Sequence, residues 1–295
     1  MEDICVSVMQ KNHLTPTGLA NFSYCRRLFW YNQRMQFGGE TTMNIAMGNF
    51  EHEVFEKYLE STKIDWLSTK NVNDENSLNE RISRVFEFAI KLSKIRYPQF
   101  MDYLQADLAT LRYRLCELEK QKKTALDALL RKDLTFDEAV NTILPWKIET
   151  FLYSQKYDIK GRVDTIYKTK NGLIVEDIKS HENRLDAFIH KIEHKTQLVV
   201  YAILAEQQFG IPVKNAQIFY SRDLYTESFK ITNKDKNQVI AANLEARNIR
   251  SGDKPPKLDG EESVRCGCCY KRDLCFGARD LEDNEYGELV LEAKI

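Results

Sequence analysis

Residues 161–180 read GRVDTIYKTKNGLIVEDIKS, with Asn171-Gly172 set between two runs rich in β-branched and aromatic side chains. No other feature constrains this chain as much. An Asn-Gly turn of type I′ needs φ > 0 at both central positions, and it joins two antiparallel strands in a fixed register. With Asn171-Gly172 as the loop, Lys170 pairs with Leu173, Ile166 with Asp177 and Asp164 with Lys179. Opposed residues share a face, as do alternate residues along a strand, so Asp164, Asp177 and Lys179 converge within roughly 5–8 Å of one another. Glu176 falls on the other face. Two carboxylates suit a hard ion such as Mg²⁺, which takes oxygen ligands and keeps several waters. Such an ion activates water and neutralises phosphate charge, and a neighbouring ammonium stabilises charge developing on a phosphodiester under attack. The stretch alone equally fits a surface hairpin whose cross-strand Asp–Lys pair contributes a few tenths of a kcal/mol.

Composition narrows the setting. The chain has 295 residues, 43% of them apolar, which suffices for a substantial core. A net charge of −1 does not advertise a polyanion partner, so any nucleic-acid site has to come from local basic patches. Met1 is followed by Glu2-Asp3-Ile4 with neither a basic leader nor a long apolar run, which predicts a cytoplasmic protein with no membrane partner. An odd count of seven cysteines argues against a disulfide framework and toward metal ligation. Cys266, Cys269 and Cys275 form C-x₂-C-x₅-C, with Cys268 as a spare thiol. A tetrahedral site needs a fourth thiolate. Cys25, in Ser23-Tyr24-Cys25-Arg26-Arg27 on a helix expected to be capped by Thr17, is the best donor; Cys5 lies in an N-terminal flank and Cys116 in a helix core. Iron–sulfur and zinc both suit four thiolates.

Along the chain, residues 17–60 carry a helical period in Met47, Phe50, Val54, Tyr58 and Leu59, with Gly48 and His52 one turn apart. Gly48 allows another element to come close. Residues 75–144 read as charged helices broken at Pro98 and around Lys132-Asp133, with Leu104, Leu108, Leu111, Leu115 and Leu118 marking a packing seam. Strands are expected at 148–154, 157–169, 173–180, 213–221 and 226–231, with helices at 195–209 and 234–250. That order predicts an α/β fold with a mixed sheet. Gln197 and Tyr201 stand one turn apart on the first of these helices.

Asp164, Asp177-x-Lys179 and Gln197-x₃-Tyr201, preceded by Gly48-x₃-His52-Glu53, resemble the pattern of RecB-like nucleases of the PD-(D/E)xK superfamily. With Cys25 and the C-x₂-C-x₅-C tail, the chain looks like the CRISPR-associated exonucleases of the Cas-four family, over residues 15–60 and 145–277. This resemblance implies a restriction-endonuclease-like mixed sheet flanked by helices, with an inserted helical subdomain and a C-terminal cysteine cluster. It divides the chain into 1–74, a helical insertion at 75–144, a nuclease core at 145–250 and a cluster tail at 251–295. His52, Asp164, Asp177 and the main-chain carbonyl of Ile178 are then ligands of Mg²⁺ or Mn²⁺, with Lys179 the catalytic lysine beside the two acids. Gln197, Tyr201, Arg26 and Arg27 contact DNA. Cys25, Cys266, Cys269 and Cys275 hold a [4Fe–4S] cluster. The implied activity is exonucleolytic trimming of single-stranded DNA or overhangs for spacer acquisition, in partnership with the CRISPR integrase complex. Two other readings remain: a recombination or repair nuclease, whose motor would be a separate chain because no G-x₄-G-K-[ST] loop is present, and a non-catalytic DNA-binding adaptor stapled by zinc.

Overall fold

The computed structural model describes residues 13–34, 42–72, 74–180, 191–252, 254–258, 264–267, 269 and 271–276. Cys5 and Cys268 lie outside them.

Helix α1 (Pro16–Tyr24) starts from Thr15, whose side chain accepts from Gly18 N, with Pro16 at the first helical position. The cap is therefore Thr15 and not Thr17: the fixed φ of proline suits the first turn, which moves the start upstream. Nor is 17–60 one helix. Cys25 is extended at φ −159° and ψ 118°, which separates α1 from α2 (Arg26–Arg34), so Cys25 sits at a break between helices. Helix α3 (Met43–Thr69) is capped by Thr42 and ends at Lys70 in the left-handed region.

The next stretch forms α4 (Glu75–Arg96), a 3₁₀ turn at Pro98–Phe100, α5 (Met101–Ala106), α6 (Leu108–Leu130) and α7 (Phe136–Ile143). Breaks fall at Pro98 and at 131–133 as expected, and α7 opens with a Thr135/Glu138 capping box. A further break at Asp107 puts Leu104 on α5, apart from Leu111, Leu115 and Leu118 on α6; all four are buried.

Strands β1 (Lys147–Ser154), β2 (Ile159–Thr169), β3 (Gly172–Lys179), β4 (Val213–Tyr220) and β5 (Tyr225–Lys230) form one sheet in that order. Only β3 and β4 are parallel, because helix α8 (Lys191–Phe209) lies between them as the crossover. Helix α9 (Asn233–Ser251) follows β5. One core joins α1, α8 and α9 to the sheet through residues such as Leu19, Phe22, Val175 and Leu198. The other joins α3, α4, α6 and α7 to Ile178 and Phe219. The result is the mixed sheet flanked by helices that the sequence predicts.

The hairpin register differs from expectation. Thr169 pairs with Gly172, Ile166 with Val175 and Thr165 with Glu176, so the loop is Lys170-Asn171 and Gly172 begins β3. Gly172 has φ +132°, and a Cβ there would lie 2.2 Å from the Pro212 carbonyl oxygen, so the approach of the chain entering β4 reserves this glycine for the strand. Ile166 thus faces Val175 instead of Asp177, a displacement of two residues. An even step leaves every side chain on its face, and Asp164 and Asp177 stay together.

Short helices α10 (Val264–Gly267) and α11 (Arg272–Phe276) return to the N-terminal end. Tyr24 donates to the Arg265 carbonyl at 2.8 Å, Arg265 donates back to the Tyr24 carbonyl at 3.1 Å, and Tyr31 donates to the Leu274 carbonyl at 2.9 Å. Among the described residues no helix is long and apolar enough to cross a membrane.

Candidate active site

Asp177 and Lys179 end β3, Asp164 lies on the neighbouring β2, and α3 brings His52 over them. Gly48 makes that approach possible: a Cβ there would meet Ser180 Oγ at 3.0 Å. Glu51 fixes the helix from its other side. Its buried carboxylate takes Ser221 Oγ at 3.3 Å and Arg222 at 3.2 Å, with Arg114 of α6 at 3.5 Å.

His52 Nε2 is 3.0 Å from Asp164 Oδ2, and the same oxygen accepts from Ile178 N at 2.6 Å. Lys179 Nζ is 2.6 Å from Asp177 Oδ2. Gln197 bridges the acid and the lysine: its Nε2 donates to Asp177 Oδ1 at 3.0 Å while its Oε1 accepts from Lys179 at 3.2 Å. Tyr201, one turn on, accepts from Gln197 Nε2 at 3.3 Å. His52, Asp164, Asp177, Lys179, Gln197 and Tyr201 therefore form one cluster. Arg26 and Arg27 do not join it. Arg26 forms a two-point pair with Glu245 of α9, and Arg27 donates to the Cys275 carbonyl at 3.3 Å.

The electrostatics follow from burial. Burial pushes the Asp177 carboxyl up and Asp164 adds to the rise, while Lys179 and His194 oppose it. Burial works against charge on His52, yet Asp164 and Glu56 outweigh it and raise the imidazole to about 11. Buried carboxylates with an imidazole nitrogen set among them make an oxygen and nitrogen donor set, in which a cation at Nε2 would take the place of the ring proton. Such a set fits a divalent ion.

Three residues here went unnoticed in the sequence. Glu56, buried and one turn beyond His52, lies 2.8 Å from His52 Nδ1; the i, i+4 spacing was its only signal. His52, Glu56 and Asp164 can each offer a ligand atom, all within 4.8 Å of one another. Glu149 of β1 turns toward Glu56 through a left-handed backbone at φ 48°, which nothing in the sequence announced, and its carboxyl is pushed up to about 8 by burial and by Glu56. His194, one turn before Gln197 on α8, is buried on the same side. Glu176, as expected, faces away, accepting from Thr165, Tyr167 and Gln217.

Cys25, Cys266, Cys269 and Cys275 line one cavity at the junction of α1, α2 and the tail. Burial and the proximity of the other three push the Cys266 thiol up to about 11, so the four thiols share the space as thiolates only when a cation accompanies them. That donor set fits a soft metal or a cluster.

The PD-(D/E)XK nuclease superfamily profile matches residues 13–276. The DNA replication ATP-dependent helicase/nuclease dna2 of Schizosaccharomyces pombe is 22% identical over 80% of this chain and 15% of its own length. The CRISPR-associated exonuclease Cas4 of Francisella tularensis subsp. novicida is 30% identical over 41% of this chain and 58% of its own length. The human DNA replication ATP-dependent helicase/nuclease DNA2 is 21% identical over 68% and 19%. The chain thus spans less than two thirds of each of these relatives.

Proposed function

This chain belongs to the PD-(D/E)XK nuclease superfamily, and from that premise we propose that it is a Mg²⁺- or Mn²⁺-dependent deoxyribonuclease acting exonucleolytically on single-stranded DNA or overhangs. The observation that carries the reading is the gathering of His52, Asp164, Asp177 and Lys179, from three separate elements, around one point.

His52, Asp164, Asp177 and the Ile178 carbonyl would hold the ion, which when bound supplies Lewis-acid stabilisation and an activated water. The chain's own groups do the rest. Ile178 N–H pins the Asp164 oxygen that faces His52. Gln197 holds Asp177 and Lys179 in fixed relation, so the ammonium is already in place for the charge that builds on the attacked phosphate and needs no reorganisation at that moment. Tyr201, with Gln197, borders the path of the strand, while Arg26 and Arg27 offer phosphate contacts near the cysteines. Incubating the full chain with end-labelled single-stranded DNA and Mn²⁺, beside Lys179→Ala, tests the site. Equal cleavage by the two proteins sinks it.

The four cysteines hold a [4Fe–4S] cluster in this reading, clamping sequence-distant segments and so limiting the entropy gained on unfolding. Anaerobically purified protein is then brown and contains iron; a colourless protein with stoichiometric zinc refutes this part.

For the pathway, we favour trimming of DNA fragments for CRISPR spacer acquisition alongside the integrase complex, on the resemblance in the cysteine pattern and the 30% identity to a CRISPR-associated exonuclease. A second reading, a recombination or repair nuclease, is favoured by the longer alignments to helicase/nucleases, over 80% and 68% of this chain. Neighbouring genes discriminate: integrase genes support the first, recombination helicase genes the second.

A further inference from the structure

We infer that Glu56 is the positioning residue that makes His52 a metal ligand: it takes Nδ1–H of the imidazole and thereby aims Nε2 at the ion shared with Asp164. The inference rests on the nuclease reading of the site. His52 touches a carboxylate through each ring nitrogen, Nδ1 at 2.8 Å from Glu56 Oε1 and Nε2 at 3.0 Å from Asp164 Oδ2. The two nitrogens lie on opposite sides of the ring, so an ion taken up at Nε2 leaves Nδ1–H for Glu56. A histidine ligand whose other N–H is held by a carboxylate is fixed in ring orientation and made more basic.

The alternative, Glu56 as a ligand itself, agrees less well with the layout. The Glu56 side chain is 5% exposed while that of His52 is 29% exposed, so Glu56 lies deeper than the imidazole and is less open to an ion arriving from solvent. Glu149 of β1 lies near Glu56, which helps to raise the Glu149 carboxyl, and Arg162 holds Glu149 Oε2 at 2.5 Å.

Mn²⁺ titration of the full chain, followed by electron paramagnetic resonance of the free ion, tests the inference. Wild type is compared with Glu56→Ala, Glu56→Met and Glu56→Gln, with Asp164→Asn as the control for a lost ligand. Alanine and methionine cannot accept from Nδ1–H, and both are expected to weaken Mn²⁺ binding about 10- to 100-fold. Glutamine offers an amide oxygen at the same place and is expected to restore affinity to within about 3-fold. Methionine fills the volume of the native side chain, so it gives a reading if alanine unfolds the helix. Wild-type affinity in Glu56→Met overturns the inference. Loss in Glu56→Gln as deep as in Asp164→Asn also overturns it, since it makes Glu56 a ligand. Because the readout is ion binding, it stands apart from cleavage: if Asp164→Asn binds Mn²⁺ like wild type, the metal-site reading has failed and not merely the role of Glu56.

Discussion

Gln197 donates to Asp177 at 3.0 Å with one end of its amide and accepts from Lys179 with the other. An amide is neutral, so it ties an acid to a base without competing for charge with either, and it fixes the lysine relative to the acid beside it. Gln197→Ala is expected to lower kcat about 10- to 100-fold through misplacement of the lysine. KM for single-stranded DNA should move little, and steady-state kinetics on end-labelled substrate reads both. A change in KM alone would return Gln197 to a role in holding DNA.

Lys179→Arg should not rescue activity. The planar guanidinium spreads its charge and its donors differently from a compact ammonium, and it does not fit the 2.6 Å contact to Asp177 together with the Gln197 contact. Cleavage about 100- to 1,000-fold below wild type is expected, from the loss of preorganised charge. Unchanged thermal melting would show that the fold survives.

Arg81 and Glu119 form a pair with each side chain only 2% exposed, at 2.9 Å, and Glu119 also takes Tyr58 and Trp66 of α3. This network joins α3, α4 and α6. Arg81 keeps its second partner, Asp65, when Glu119 loses its charge, so Glu119→Gln is expected to cost about 1.5–3 kcal/mol in urea unfolding, the scale of a hydrogen bond to a charged group. A loss below 1 kcal/mol on the same scale would mean that water reaches the arginine.

Divalent ions should stabilise the fold. At about 100 times the dissociation constant, Mn²⁺ adds about 2.7 kcal/mol by mass action, seen as a higher melting temperature. Asp164→Asn should abolish the increment, because Asp164 faces both His52 and the Ile178 amide.

Asp235 provides a pH signature remote from the active site. Hydrogen bonds from Lys195 and from Thr232, which it meets in the capping box of α9, lower its carboxyl to about 2. A depressed folded value means stability that is present above the unfolded value near 4 and lost as pH falls through about 2. Urea unfolding of wild type and Asp235→Asn should therefore differ at pH 5 and converge toward pH 2. A gap that stays constant over that range would assign the difference to packing.

Much of this molecule was written in local pattern. The alternation of β-branched residues with polar ones, the 3.6-residue periods and the breaks at Pro98 and 131–133 are short-range signals, and all five strands and the helices on either side of the sheet appear within a few residues of where those signals put them. Face parity holds although the turn lies one residue earlier than the Asn-Gly pair predicts, because a two-residue step in register cannot move a side chain to the other side. Asp164, Asp177 and Lys179 were therefore legible from the hairpin, and Gln197 and Tyr201 from one helical turn.

Tertiary structure decided the remainder. Which residues formed the turn depended on the Pro212 carbonyl, forty residues downstream, pressing on Gly172. The break at Cys25 falls where α1 and α2 meet the tail. Glu56 and Glu149 carried no local mark of their role, since a glutamate on a helix or an edge strand reads as solvent-facing until the fold buries it beside a histidine. The sequence by itself determined the strand faces, the helices and the central acids and lysine, because these follow from backbone periodicity. Only the packing of α3 across the ends of β2 and β3 decided that His52 would have a carboxylate at each nitrogen, because burial and distance are properties of the assembled chain.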